Sequence, residues 1–169
     1  MVARVADQTR AELGRFPESG PFGEVAALAL RSALAETVGT EGRSLLGSSA
    51  EDLACAFRRH STAAQFGELN VRFFGAYLSR TLRFYVEREL MHVVGGGPLA
   101  TSAAAADFSA GLDRHARQSA RIVEDFAAAW YSKRSWETGG QIGRDDVQAF
   151  AAHALSKLRK ELERQGGVT

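Results

Sequence analysis

Four side chains capable of acid–base or anion-binding chemistry lie on two stretches of the chain that are predicted to be neighbouring helices. Arg88 and His92 lie near the end of the first stretch, and His115 and Glu124 lie in the second. With 3.6 residues per turn, His115 falls among the apolar residues of its helix, and Arg88 falls on the aromatic side of its own. Histidine titrates near neutral pH and arginine binds anions, so the four residues could surround a polar pocket.

A structural role for these residues is favoured over catalysis. General acid–base catalysis needs a partner group in a defined geometry, and no motif around His115 supplies one. We therefore expect His115 to be a core histidine that makes one hydrogen bond. Because an unpaired buried charge is costly, Arg88 is expected either to pair with Asp113 or Glu124 or to extend its charged end from the helix end into solvent. The sequence predicts no catalytic residue, and a ligand-binding or enzymatic pocket built from the four residues is the least favoured alternative.

Metal and cofactor sites lack the residues that they need. Glu89 and His92 have the Glu-x-x-His spacing of di-iron helical bundles, but such a site needs a second pair of this kind. The residues three positions before the other histidines are Phe57, Leu112 and Phe150. Cys55 is the only cysteine, which excludes an internal disulfide and a zinc site of several cysteines. We expect no metal and no cofactor.

A basic and aromatic segment at the end of the second stretch is the best candidate for contact with a partner. Its members are Tyr131, Lys133, Arg134 and Trp136. Trp136 is predicted to follow the helix in a loop, where it either covers the end of the bundle or contacts a partner. Aromatic residues and arginine are enriched at the energetic centres of protein interfaces, and aromatic rings also stack on single-stranded bases.

Helical periodicity recurs along the chain, and no segment alternates as a β-strand does. The predicted helices cover residues 2–13, 22–38, 49–60, 64–94, 103–133 and 144–164. Residues 64–94 carry aromatic side chains over more than half of the helix circumference, so this helix is predicted to be central. The predicted fold class is all-α: one domain, an antiparallel bundle of about five or six helices with two long central helices. In it, residues 1–47 form an N-terminal arm or cap, and residues 48–169 form the core.

Composition and charge reduce the number of function classes that the chain could belong to. The chain has 169 residues, of which 45% are hydrophobic, as is ordinary for one globular domain. Its net charge of +1 disfavours bulk binding to nucleic acid, which usually uses a clustered basic face. Residues 1–14 lack the apolar stretch of a signal peptide, and no apolar run could span a bilayer, so we expect a cytoplasmic protein without membrane contact. Heavy use of alanine and arginine fits a GC-rich bacterial genome.

These features together predict a non-enzymatic helical subunit or adaptor of a bacterial cytoplasmic complex, which binds another protein or itself. The aromatic surface of residues 64–94 exceeds what one neighbouring helix would cover, and exposed apolar patches commonly bind partners. The alternative is an accessory protein that binds nucleic acid through the Trp136 loop and a basic helix face. The arginines of that face are Arg72, Arg83, Arg114, Arg117 and Arg121. Interspersed acidic residues make a merely solvated face the more common outcome.

Overall fold

The described part of the chain is helical, with no β-strand. The computed structural model describes residues 20–37, 61–90 and 101–166. These ranges contain the helices α1 (Gly20–Thr37), α2 (Ala63–Leu90), α3 (Ser102–Ala120), α4 (Ile122–Glu137) and α5 (Arg144–Gly166). The predicted all-α fold class is therefore confirmed. The helices predicted over residues 2–13 and 49–60 lie outside the described residues. No helix in the described ranges is both long and apolar enough to cross a membrane.

Helix α2 lies between α1 on one side and α3 with α4 on the other. Gly67, near the beginning of α2, lies against Ala128 of α4, whereas Gly75 lies against Ala120 of α3. The partner number falls as the number on α2 rises, so α2 runs antiparallel to α3 and α4. The pairs that give the same order between α1 and α2 are Phe22–Tyr85, Ser32–Arg80 and Glu36–Arg72.

Small residues allow α2 to approach α3 and α4 closely. A Cβ atom added at Gly67 would lie 3.1 Å from the carbonyl oxygen of Glu124, so side chains have no room between the two backbones there. The buried residues on the facing helices are correspondingly small: Ala116, Ser119, Ala120, Val123 and Ala127. Phe74 and Leu78 of α2 complete this part of the core.

The buried face of residues 103–133 is rotated by about one residue from the apolar face that the sequence predicts. At about 100° per residue, His115 shares its predicted helix face with Phe108, Leu112, Ser119, Ile122, Phe126 and Trp130. His115 is exposed and the adjacent Ala116 is fully buried, so the prediction of a core histidine is wrong. The physical reason is the close approach of α2, which admits small side chains at the contact and excludes large ones such as histidine.

The single helix predicted over residues 103–133 is interrupted once and extends further. The N–H of Arg121 donates to the carbonyl of Gln118 at 3.2 Å, and the N–H of Glu124 donates to the carbonyl of Arg121 at 3.0 Å. Both bonds span three residues instead of four, which is the tighter 3₁₀ pattern. Helix α4 then continues to Glu137. It ends there because the backbone leaves the helical conformation at Gly139 and Gly140, which have positive φ. Trp136 is therefore helical, and its predicted loop position is wrong.

Helix α5 packs against α4 and the beginning of α2 through aromatic rings. The ring centroid of Phe150 lies 4.6 Å from that of Trp130 and 5.5 Å from that of Phe66. At the start of α5, the Asp146 carboxylate accepts the N–H of Gly143 at 3.0 Å, as in the second half of a capping box. Asp146 also accepts hydrogen bonds from Arg134, which ties the end of α4 to the beginning of α5.

Candidate functional site

A groove where α1 and α3 meet α2 is lined mainly by arginine, and we call it the arginine groove. Its volume is about 260 Å³. Arg72 and Arg80 come from α2, Arg117 comes from α3, and Arg121 lies at the junction of α3 and α4. The other lining residues are Ser32, Glu36, Val71, Gly75, Ala76 and Ser79. Among the lining residues that the structure describes, four carry positive charge and one, Glu36, carries negative charge.

Helical spacing and one glycine explain why these arginines converge. Arg72 and Arg80 are eight residues apart on α2, and Arg117 and Arg121 are four residues apart, so each pair shares a helix face. Gly75 lies between the two α2 arginines. A Cβ atom added there would lie 3.5 Å from the Cα of Arg117, so the absence of a side chain brings α3 close to α2 at the groove.

The two α2 arginines both bond to α1, but within the described ranges only Arg72 also bonds to a carboxylate. Arg80 donates to the Ser32 hydroxyl at 2.8 Å and to the Ala76 carbonyl at 3.2 Å. Arg72 donates to the Glu36 carbonyl at 3.0 Å and also bonds the Glu68 carboxylate. Arg72 is therefore neutralised by a neighbour, whereas Arg80 contacts only uncharged oxygen atoms in the described part of the chain.

The two arginines on the α3 side are exposed. Arg117 and Arg121 make no hydrogen bond or ion pair within the residues that the structure describes. Their guanidinium groups can therefore turn toward the groove without breaking an existing bond. Guanidinium groups bind carboxylate and phosphate oxygens through paired N–H donors, so the arrangement is suited to an anion.

An ion pair beside the groove joins α2 to α3 and involves Arg83. Its Nε donates to Oδ1 of Asp113 at 3.0 Å, a second guanidinium nitrogen bonds Oδ2, and the Ser79 hydroxyl also donates to Asp113. Burial acts to raise the pKa of Asp113, but the hydrogen bonds from Ser79 and Arg83 outweigh it and the pKa is lowered. Asp113 therefore pairs with Arg83, and the expected pair between Arg88 and Asp113 does not form. Arg88 is exposed.

The predicted polar pocket does not assemble from the residues that the structure describes. Arg88, His115 and Glu124 are all exposed, and His92 lies outside the described residues. Glu124 lies beside Gly67, near the opposite end of α2 from Arg88. At about 1.5 Å per residue, the stretch of α2 between them is about 30 Å long. The antiparallel order of α2 and α4 therefore separates two residues that the sequence allowed to meet.

Two of the four predicted partner-binding residues are engaged within the protein. The Tyr131 ring stacks on Phe66 with a centroid distance of 4.8 Å, and its hydroxyl donates to the Ser61 carbonyl at 3.1 Å. Arg134 bonds Asp146 through two guanidinium nitrogens. These contacts fix the end of α4 relative to α2 and α5.

The other two predicted partner-binding residues face solvent. Trp136 is 85% exposed, more than any other large hydrophobic residue among those described. Lys133 is exposed and lies 3.9 Å from the Glu137 carboxylate, as a loose pair one turn apart. Of the two alternatives for Trp136, covering the end of the bundle is contradicted by this exposure, and its contact with a partner stays a prediction.

The basic face predicted from the sequence includes three of the four groove arginines and does not include Arg80. The predicted basic face contained Arg72, Arg117 and Arg121, which the groove brings together. Arg83 and Arg114 also belonged to that face and do not line the groove. The signal for Arg80 was its spacing of two turns from Arg72 across Gly75. That signal has meaning only once the helix facing Gly75 is known.

Acid should destabilise this protein through three carboxylates with lowered pKa values. Hydrogen bonds from Arg164 and Gln165 lower the pKa of Glu161 from 4.5 to about 2, and bonds from Arg134 and the Gly143 N–H lower that of Asp146 below 3.8. Asp113 shifts in the same direction. A lowered folded-state pKa adds stability that is present above the unfolded-state pKa and is lost as pH falls through the folded-state pKa.

We therefore expect the urea midpoint to fall steadily between about pH 4.5 and about pH 2. Unfolding followed by circular dichroism at constant ionic strength measures it. Asp146→Asn should lower the midpoint at pH 7 and make its fall in acid shallower. An unchanged midpoint across that acid range would show that these ion pairs do not favour the folded state.

Comparison of the chain with protein-family models, with curated proteins and with solved structures found no match. Within the described ranges, no group of three or more histidine, cysteine, aspartate or glutamate residues is placed to hold a metal ion. In the part of the chain that the structure describes, the arginine groove and the exposed Trp136 end of α4 are two surface features that bear on function.

Proposed function

We propose that this protein is a helical interaction subunit of a bacterial cytoplasmic complex, and that it binds another protein or a second copy of itself. The observation that carries the proposal is the 85% exposure of Trp136 on a regular helix. Tryptophan is the residue type most enriched among those that dominate binding energy at protein interfaces. A large exposed indole costs solubility, and a partner that covers it removes that cost.

The rigidity of the α4 end supports the same proposal. Arg134 joins this end to α5 through Asp146, and Tyr131 joins it to the residues that precede α2. Trp136 is therefore presented by a fixed surface, so a partner would order only the indole side chain itself. Presentation on a fixed element reduces the entropy lost on binding and favours a specific interface.

Exposed aromatic residues on α2 add a second, weaker line of support. The sequence predicted more aromatic surface on this helix than one neighbouring helix would cover. Phe84 is 41% exposed and Tyr85 is 50% exposed, although α1, α3 and α4 all pack against α2. The exposed aromatic surface of α2 thus lies in its C-terminal part, where it can extend an interface or form a separate one.

Nucleic-acid binding, the second candidate, combined the arginine faces with Trp136 on one surface. Arg121 and Trp136 are separated by 15 residues of helix, which is about 22 Å at about 1.5 Å per residue. A strand of nucleic acid would have to cross this distance along α4. Lys133 and Glu137, which carry opposite charges, lie along it. The geometry favours a protein partner at Trp136.

Trp136→Ser tests the proposal, and Phe108→Ser is the matched control. Phe108 is also an exposed aromatic residue on a helix, at 41%, and lies near the beginning of α3, far from Trp136. Self-association is measured by light scattering over a range of concentrations, and binding to other proteins by quantitative affinity capture from host lysate. We expect Trp136→Ser to weaken the complex about 30-fold, which corresponds to a hot-spot loss of about 2 kcal/mol.

A helpful reporter is intrinsic fluorescence, because the chain has only two tryptophans. Trp130→Phe leaves Trp136 as the single indole, whose emission should shift to shorter wavelength when the complex forms. Equal loss of binding with Phe108→Ser and Trp136→Ser would contradict the proposal. A complex that leaves the Trp136 emission unchanged would contradict it as well.

A further inference from the structure

We infer that the arginine groove binds the phosphoryl group of a small phosphorylated ligand. The inference concerns a surface other than the Trp136 end of α4 and does not depend on the proposed function. Its basis is the convergence of Arg72, Arg80, Arg117 and Arg121 on one cavity between three helices. The ligand class is a small molecule with one or two phosphoryl groups, free or esterified.

The charge balance of the groove favours an anion. Glu36 and the adjacent Glu68 both lie at the Arg72 side, where Glu68 bonds Arg72 directly. Arg80, Arg117 and Arg121 contact no carboxylate within the described residues. The neighbouring carboxylates Glu36 and Asp113 are paired with Arg72 and Arg83, so positive charge is in excess at the other three guanidinium groups of the groove. A bound dianion would offset this excess and accept several charge-assisted hydrogen bonds.

The groove is also partly preorganised for such a ligand. Arg80 is held between Ala76 and the Ser32 hydroxyl, so its orientation is fixed before a ligand arrives. The Ser32 oxygen accepts from Arg80, which leaves the Ser32 proton free to donate to a phosphoryl oxygen. Arg117 and Arg121 are exposed and can close over the anion from the α3 side. One wall is therefore rigid, and the opposite wall is adaptable.

Size and surrounding charge select a small ligand over a nucleic acid. A volume of about 260 Å³ lies slightly below the usual range for pockets that bind drug-sized molecules, which is about 300–1,000 Å³. Carboxylates also limit the positive region at both ends, with Glu36 and Glu68 beside Arg72 and Asp113 beside Ser79. A nucleic acid needs several successive phosphate contacts, and these carboxylates would repel its backbone on each side.

The test is isothermal titration of the full chain with orthophosphate, pyrophosphate and adenosine diphosphate at constant ionic strength. The variant is the double substitution Arg117→Gln with Arg121→Gln, because both side chains are exposed and make no bond that supports the fold. Arg114→Gln is the control: Arg114 is an exposed arginine of the same helix and does not line the groove. Thermal unfolding of each variant verifies that the fold is unchanged.

We expect saturable binding of pyrophosphate that weakens at least tenfold in the double variant and less than twofold in Arg114→Gln. Tighter binding of adenosine diphosphate than of pyrophosphate would assign a nucleotide as the source of the phosphoryl group, whereas equal binding would assign the phosphoryl group alone. Two results would overturn the inference: no saturable binding of any of the three probes, or equal weakening by Arg114→Gln and the double variant. A single-stranded oligonucleotide that displaces pyrophosphate and binds with a steeper salt dependence would also overturn it, in favour of nucleic acid.

Discussion

Replacing Leu158 by alanine should lower the free energy of unfolding by about 3 kcal/mol, within the usual range for a buried leucine. Leu158 lies on α5, is 1% exposed and belongs to the core cluster with Phe74, Val123 and Ala127. The substitution removes three carbon atoms from the place where α5 meets the other helices and leaves a cavity in the core cluster. The measurement is urea unfolding followed by circular dichroism.

Leu155→Ala is the matched control for this prediction. Leu155 lies three residues earlier on the same helix and is 42% exposed, so truncation removes less buried surface and leaves no enclosed cavity. We expect it to cost less than about 1 kcal/mol. Similar costs at both positions would mean that α5 does not dock through Leu158. A loss that leaves α5 detached and the other helices folded would appear as two separate unfolding transitions.

Gly67→Leu should be nearly as damaging, at about 2–3 kcal/mol, because it inserts a side chain where no room exists. Its Cβ alone would lie 3.1 Å from the Glu124 carbonyl oxygen and 3.5 Å from the Cβ of Ala128. Backbone atoms cannot rotate away as a flexible side chain can. The helices α2 and α4 would therefore have to separate, which also disturbs the neighbouring alanine contacts. The free energy of unfolding in urea measures the cost.

Gly75→Ala is the control for the second prediction and should have the opposite sign. A Cβ at Gly75 would lie at ordinary contact distances, 3.5 Å from Arg117 and 3.6 Å from Ala120. Alanine favours the helix over glycine by up to about 1 kcal/mol, so a small gain in stability is expected. Destabilisation by Gly75→Ala would show that α2 lies closer to α3 than this structure places it, and tolerance of Gly67→Leu would show that α2 lies further from α4.

The two proposed binding surfaces are separate enough to be studied independently. The arginine groove lies where α1 and α3 meet the middle of α2, and Trp136 lies at the far end of α4. Substitution of Trp136 should therefore leave pyrophosphate binding unchanged. Substitution of Arg117 and Arg121 should leave the light-scattering mass unchanged.

The sequence by itself determined the helical class and most of the helix ends that fall within the described residues. Its periodicity and the absence of alternating segments exclude a sheet in the described ranges, and Asp145 and Asp146 correctly mark the start of α5. Helix α4 ends at Glu137, just before the two glycines with positive φ, and not at Lys133 as predicted. These features are local, because capping and helix termination depend on a few consecutive residues.

Only the tertiary structure decided which faces are buried and which residues meet. Large residues dominated the predicted stripe that contained His115, whereas the buried stripe is mainly alanine, because Gly67 and Gly75 bring α2 too close for large side chains. The same packing pairs Asp113 with Arg83 instead of Arg88 and gathers four arginines in one groove. The register between two helices depends on how close their backbones can come. That distance is set by the side chains of both helices together, so the periodicity of one helix cannot predict it.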